Sequence, residues 1–271
     1  MPFVAIFGAG PLGGALAYTL ASRARFDEVR LVDPEKTLAA GKALDVRQSG
    51  PVDGYSTRVT GHASMDAADG AWVMVLADPI QPDPLAQLKE LHRRSPGAII
   101  VCADAAHHLV LGRAVATGTV PPDRLVGSAP AAAVSAARAL LALEVDTSPA
   151  AVHVGLAAPV GLEPPRVDWS RTSIDGECAD GVLRREQQSR IDARVAALWP
   201  PGPLTLGAAG ARAAEAAWFG TRQTLPCWWV SDGGVGPAAI QTVRFSAGGR
   251  PRVATRSSAA GGILVSAGMG R

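Results

Sequence analysis

The chain has 271 residues, enough for two lobes sharing one interface. With 48% hydrophobic residues, 5% aromatics and a formal net charge of +2, it can build a core of small side chains, and its charge points to no nucleic-acid partner. No stretch reaches the roughly 18 uninterrupted apolar residues of a membrane helix, and no basic segment with an apolar run opens the chain. Cys102, Cys178 and Cys227 are odd in number and far apart, which argues against a disulfide framework or a metal site. A cytoplasmic protein without membrane partners is expected.

In chain order, the apolar run at residues 3–7 predicts a strand buried on both faces. A glycine-rich turn and an Ala-rich helix, Gly13–Ser22, follow. Further strands are predicted at Val29–Val32, Trp72–Ala77, Ala98–Ala103 and Arg124–Gly127, with helices at Thr37–Arg47, Pro84–Arg94 and His107–Ala116. This alternation predicts an α/β fold, a doubly wound parallel sheet over residues 1–127. Residues 128–271 predict a smaller α+β lobe. It has helices at Ala131–Leu143, Val182–Leu198 and Gly207–Phe219, and a strand at Ala151–Leu156. An antiparallel set is expected from Trp228–Val230, Ala239–Phe245 and Arg252–Ala254, with Gly248-Gly249 as a turn. The Gly- and Ala-rich tail from Ser257 is expected to be loosely held.

The first strand runs into Gly8-Ala9-Gly10-Pro11-Leu12-Gly13, and the second ends at Asp33, twenty residues after Gly13. Strand, glycine turn, helix, second strand and acid together form the Rossmann-type dinucleotide signature. Gly8 permits the tight turn. Gly10 lets backbone approach a pyrophosphate, and Gly13 lets the helix pack on the strand. Pro11 and Leu12 open the helix whose free N–H groups face the phosphates. Asp33 is placed to accept the ribose hydroxyls and to repel a 2′-phosphate, favouring NAD over NADP. Ala77, ending the neighbouring strand, is counted with these contacts. The alternative is a turn kept for packing alone.

These residues resemble the lactate/malate dehydrogenase family. The likeness is carried by Val4–Gly14, Val29–Asp33, Gly41-Lys42-Ala43-Leu44-Asp45 and Ser49-Gly50-Pro51-Val52, with Ser95–Val101 and Arg124–Gly127 further on. It continues more faintly through Val152-His153, Trp169-Ser170 and Leu225-Pro226-Cys227. It implies an NAD-dependent interconversion of 2-hydroxy and 2-keto acids by a homodimer or tetramer, with the helices Gly13–Ser22, Thr37–Arg47 and Gly207–Phe219 available for pairing. It also implies a His acid/base, an Asp that orients it, and Arg residues for the carboxylate and carbonyl.

This chain departs from that pattern at each point. The loop after Ala77 reads Asp78-Pro79-Ile80-Gln81-Pro82-Asp83-Pro84, acidic and without Arg or Lys. Asp104-Ala105 stands for the family's Asn-Pro. The helix Asp and Arg fall on Ala133 and Ala136. The His-Gly-Asp segment falls on Val160-Gly161-Leu162, and no histidine follows His153. A keto-acid anion would face Asp78, Asp83 and Asp104 without a clamp.

Replacement catalytic groups are Asp104, His107 and His108, at the strand end that faces the nicotinamide in this architecture. The competing reading makes Asp104 a helix cap. His153 reads as a strand residue, and His62 and His92 as surface residues. Arg138 lies about 200° around its helix from Ala136 and so points elsewhere. Thr205 is either a substrate-side hydroxyl or an N-cap. Trp228-Trp229 reads as one packed and one interface side chain. Three functions stay open: an NAD(H)-binding homologue that has lost its chemistry, an oxidoreductase acting on an uncharged or cationic alcohol, and a structural interaction protein.

Overall fold

The structure, a computed structural model, describes residues 3–157, 164–230, 238–246 and 249–254. Phe3–Phe7 form β1, whose Val4, Ala5, Ile6 and Phe7 are fully buried. Then come α1 (Pro11–Arg23), β2 (Glu28–Val32), α2 (Lys36–Asp53), β3 (Arg58–His62), β4 (Val73–Leu76) and α3 (Pro84–Arg94). β5 (Ile99–Cys102), α4 (His108–Ala116) and β6 (Leu125–Gly127) complete six parallel strands, ordered β3-β2-β1-β4-β5-β6. Every residue of β4 and β5 is buried, as helices on both faces require. The strand order reverses between β1 and β4, where a doubly wound sheet opens its ligand crevice.

β3 was not expected: of Arg58–His62 only Val59 is buried, so no apolar run announces this edge strand. α2 runs past its expected end at Arg47, through Pro51 to Asp53, and stops at Gly54 with φ +78°.

The smaller lobe is built from α5 (Ala129–Glu144), β7 (Val152–Ala157), β8 (Arg166–Ile174), β9 (Glu177–Cys178), α6 (Ala179–Val182) and α7 (Arg185–Ala197). β7, β8 and β9 form a three-stranded sheet, antiparallel throughout. β8 was not expected either, because its Arg, Asp and Ser residues break the apolar pattern. This lobe has its own core around Leu141, Val152, Val154, Ile174 and Ile191. Burying each such side chain contributes about 1.5–3 kcal/mol.

The chain then returns to the first sheet. α8 (Pro203–Phe219) packs on α1 through bare glycine faces: a Cβ at Gly207 would lie 3.0 Å from Ala15 Cβ. β10 (Thr224–Trp229), β11 (Ala239–Phe245) and β12 (Pro251–Val253) are the expected antiparallel set. They do not form a sheet of their own. β10 pairs antiparallel with β6 at Trp228 and Gly127, giving one sheet with nine strands among the described residues. The larger core therefore joins residues on both sides of position 127.

The expected Val160-Gly161-Leu162 segment and the tail from Ser257 lie outside the described residues, as does Gly248. Gly249 is described and has φ +80°. Among the described residues no helix is long and apolar enough to cross a membrane.

Candidate functional site

The site grows from the carboxyl ends of β1, β2, β4 and β5. The parallel register matches Phe7 with Val32 on one side and with Leu76 on the other. That register sets the glycine turn between the residues following β2 and β4. Gly8 N donates to Val32 O at 2.9 Å, and Ala77 N donates to Phe7 O at 2.9 Å. Gly8 lies at φ +95°, and a Cβ there would lie 2.4 Å from Asp78 O. At Gly13 a Cβ would lie 1.9 Å from Gly8 O, so only glycine lets α1 start this close to β1.

Asp33 is 8% exposed. Its Oδ2 accepts from Ala9 N at 2.9 Å and its Oδ1 from Glu35 N at 2.9 Å. Each oxygen keeps a further lone pair for a hydroxyl donor. Asp33 thus stands at the lip of the turn.

Asp78 is the residue whose role the sequence concealed. Its Oδ2 accepts from Gly13 N at 2.7 Å and its Oδ1 from Leu12 N at 3.2 Å. Those are free N–H groups of the first turn of α1, where a phosphate binds in this architecture. A carboxylate of the chain itself therefore sits in the cradle. It shows that the cradle accepts an oxyanion, and it stands in for phosphate oxygens. The residues present thus fit a dinucleotide: Asp33 would hold the ribose, and the N–H groups of Leu12 and Gly13 the pyrophosphate.

Next to this cradle lies a cavity of about 420 Å³, lined by Pro11, Leu12, Asp78, Asp104, His108 and the Trp199-Pro200-Pro201 corner. Among the described residues its lining contains two carboxylates and neither Lys nor Arg. Asp83, expected to face the same space, instead caps α3 by accepting from Leu85 N at 3.0 Å. The corner that walls the cavity follows α7; the sequence marks its Pro200-Pro201-Gly202 as a helix stop but nothing in it points to the cavity.

The three replacement catalytic candidates separate. Asp104 accepts from Ala106 N at 2.7 Å, and Asp104 N donates to His107 Nδ1 at 3.2 Å, a reciprocal cap on the short turn before α4. Burial pushes the His107 pKa down to about 4, against the pull of the Asp104 carboxylate. His107 is thus a neutral structural acceptor, turned away from the cavity it was expected to serve. His108 does line that cavity. Its Nδ1 faces Ala105 O at 3.0 Å; a carbonyl only accepts, so Nδ1 carries the proton. Nε2 is buried and has no partner among the described residues, and the ring lies 5.0 Å from that of Trp228.

The remaining candidates go elsewhere. Ala133 is buried and Ala136 half-buried on α5, where the resemblance implied Asp and Arg. Thr205 is not an N-cap, since Gly202 holds that position of α8. It lines a separate cleft of about 800 Å³ together with Arg138 and His153. Arg138 Nη2 donates to Pro149 O at 2.7 Å, and His153 is exposed on β7. His62 and His92 are half-buried, and burial lowers the pKa of both. Trp228 and Trp229 are both buried, so neither is an interface residue of the folded chain. Burial pushes the Cys227 thiol up to about 12 and raises that of Cys102 as well, which leaves both unreactive. Among the described residues no His, Cys, Asp and Glu cluster could hold a metal.

No family model matches the chain. It is 30% identical over 164 residues to the malate dehydrogenase of Neorickettsia sennetsu, covering 55% of this chain and 52% of that one. It is 36% identical over 169 residues to the malate dehydrogenase of Thermomicrobium roseum, covering 55% and 53%. The chain thus spans about half the length of the curated relatives it matches. In fold the likeness is nearly complete. The malate dehydrogenase of Salinibacter ruber superposes with TM-score 0.79 at 25% identity over 93% of this chain and 88% of that one. A Cryptosporidium parvum lactate dehydrogenase, complexed with lactic acid and nicotinamide adenine dinucleotide, gives 0.81 over 94% and 90%; at 19% identity it shares the fold alone. The glycine turn, the acid that closes β2, the 3-2-1-4-5-6 strand order and these likenesses make the chain similar to malate dehydrogenases in sequence over about half its length, and to malate and lactate dehydrogenases in fold.

Proposed function

We propose that the chain binds NAD(H) in the cradle of Gly8, Gly10, Pro11, Leu12, Gly13, Asp33 and Ala77, and that it has lost the 2-hydroxy acid dehydrogenase chemistry of its family. It then serves as a binding, regulatory or partner subunit in a reducing cytoplasm, a setting that its three free cysteines favour. One observation carries the loss. Among the described residues, the cavity beside the cradle presents Asp78 and Asp104 and neither Lys nor Arg, so a keto-acid anion is repelled where it needs a clamp. NAD(H) supplies hydride transfer when bound. The chain's own residues hold the ribose at Asp33 and disfavour a 2′-phosphate there.

Fluorescence titration with NADH and NADPH, followed by assays with oxaloacetate, pyruvate, malate and lactate, tests this reading. Preferential NADH binding without turnover is expected. Efficient turnover of any of the four acids overturns the loss of chemistry. Assembly with copies of itself belongs to the same reading, supported by Leu44 and Val52, exposed along α2, and Tyr18 on α1. A single monomeric species in sedimentation over a wide concentration range overturns that part.

One observation favours a second reading. His108 lines the cavity with Asp78 and Asp104, and its buried Nε2, without a hydrogen-bond partner among the described residues, would be offered to an uncharged or cationic alcohol by a rotation of the ring. Here any activity found in an alcohol screen is lost in His108→Ala and kept in His107→Asn. Activity that survives His108→Ala excludes it.

A further inference from the structure

The observations at Asp78 reach beyond the presence of a dinucleotide cradle, although they rest on that reading. α1 begins without a cap of its own: Gly10 stands at the N-cap, Pro11 follows, and the first turn holds no acid. Asp78 lies two residues beyond the end of the strand β4 that flanks β1, and 65 positions from Gly13. Its carboxylate supplies the missing acceptor to Leu12 N and Gly13 N. The glycines shape the space around it. A Cβ at Gly10 would lie 2.7 Å from Asp78 Cγ, and one at Gly13 would lie 3.1 Å from Oδ2. The room that glycine leaves for a pyrophosphate is thus taken by a side chain of the same protein.

We propose that Asp78 is an internal occupant of the phosphate cradle and sets its specificity, so that a pyrophosphate enters only by displacing the Asp78 carboxylate from Leu12 N and Gly13 N. Two costs oppose a dinucleotide. The hydrogen bonds of Asp78 must break, and the displaced carboxylate stays tethered to Ala77, close to a second anion. A ligand that reaches only Asp33, such as a nucleoside without phosphate, meets neither cost. Asp78 therefore weights the site against ligands with a pyrophosphate and leaves the ribose end open.

The test compares native protein with Asp78→Ala and Asp78→Asn by calorimetric titration with NADH, ADP-ribose and adenosine. It adds thermal unfolding with and without inorganic pyrophosphate. Asn keeps the side-chain volume if Ala fails to fold. NADH and ADP-ribose are expected to bind at least tenfold more tightly to the variants, with adenosine unchanged. Pyrophosphate is expected to raise the Tm of the variants but not that of native protein. Equal NADH affinity in all three proteins overturns the role of Asp78 and leaves the dinucleotide reading standing. An equal gain for adenosine also overturns it, since the substitution then merely opens the site. Absence of NADH binding in all three overturns both.

Discussion

Packing treats the glycine turn before α1 and the face of α5 in opposite ways. Gly8 and Gly13 have no room for a Cβ: backbone oxygens lie 2.4 Å and 1.9 Å from where it would be. Half-buried Ala136 on α5 has no such constraint. A turn required by packing persists whether or not a cofactor binds, so an intact glycine signature is by itself weaker evidence of binding than it looks.

The sharpest way to break this comparison is Gly13→Ala, measured by urea unfolding without nucleotide. The clash is with backbone, so a loss of about 4 kcal/mol or failure to fold is expected. An unchanged protein would mean that the turn is not fixed by packing.

His107 shows a titratable group bound into structure. Its folded pKa, about 4, lies below the ordinary value near 6.5, so the unfolded chain binds more protons between them. Its contribution is complete above about pH 6.5 and is lost as pH falls towards 4, up to about 3 kcal/mol. In His107→Asn the fall of Tm over that window should be correspondingly shallower. Parallel native and variant profiles would count against the buried neutral ring.

Asp33→Ala leaves the Ala9 and Glu35 N–H groups without their acceptor, for an expected loss of about 2 kcal/mol together with NADH binding. Loss of stability with NADH binding retained would detach Asp33 from the ribose. At the other extreme, Ala136→Arg should change stability by no more than about 0.5 kcal/mol, because the position is half-buried and a long side chain can reach solvent. A large destabilisation there would erase the contrast with the turn.

The buried parallel strands, α3 and the turn were legible in the sequence because each is a local pattern: an apolar run, an Asp-Pro start, glycines at fixed spacing. β3 and β8 were not, since edge strands with solvated faces carry too few apolar residues to stand out. Asp33 was legible by its distance from the turn. Asp78 was noticed as an acid in a short loop, but its partners lie 65 and 66 residues away, and only the β1–β4 register brings them together. The capping of Asp104 by His107 was half-legible. An acid before a helix suggests a cap, while nothing local shows that the ring folds back rather than outwards.

The pairing of Trp228 with Gly127 also governs how the protein is made. A nascent chain that has emerged as far as β6 holds six parallel strands, but it leaves the outer edge of β6 unpaired and the α8-facing side of α1 bare. Both are covered by segments synthesised about a hundred residues later. The first lobe therefore cannot finish folding as it leaves the ribosome. It must wait for α8 and β10, with an open strand edge exposed in the meantime.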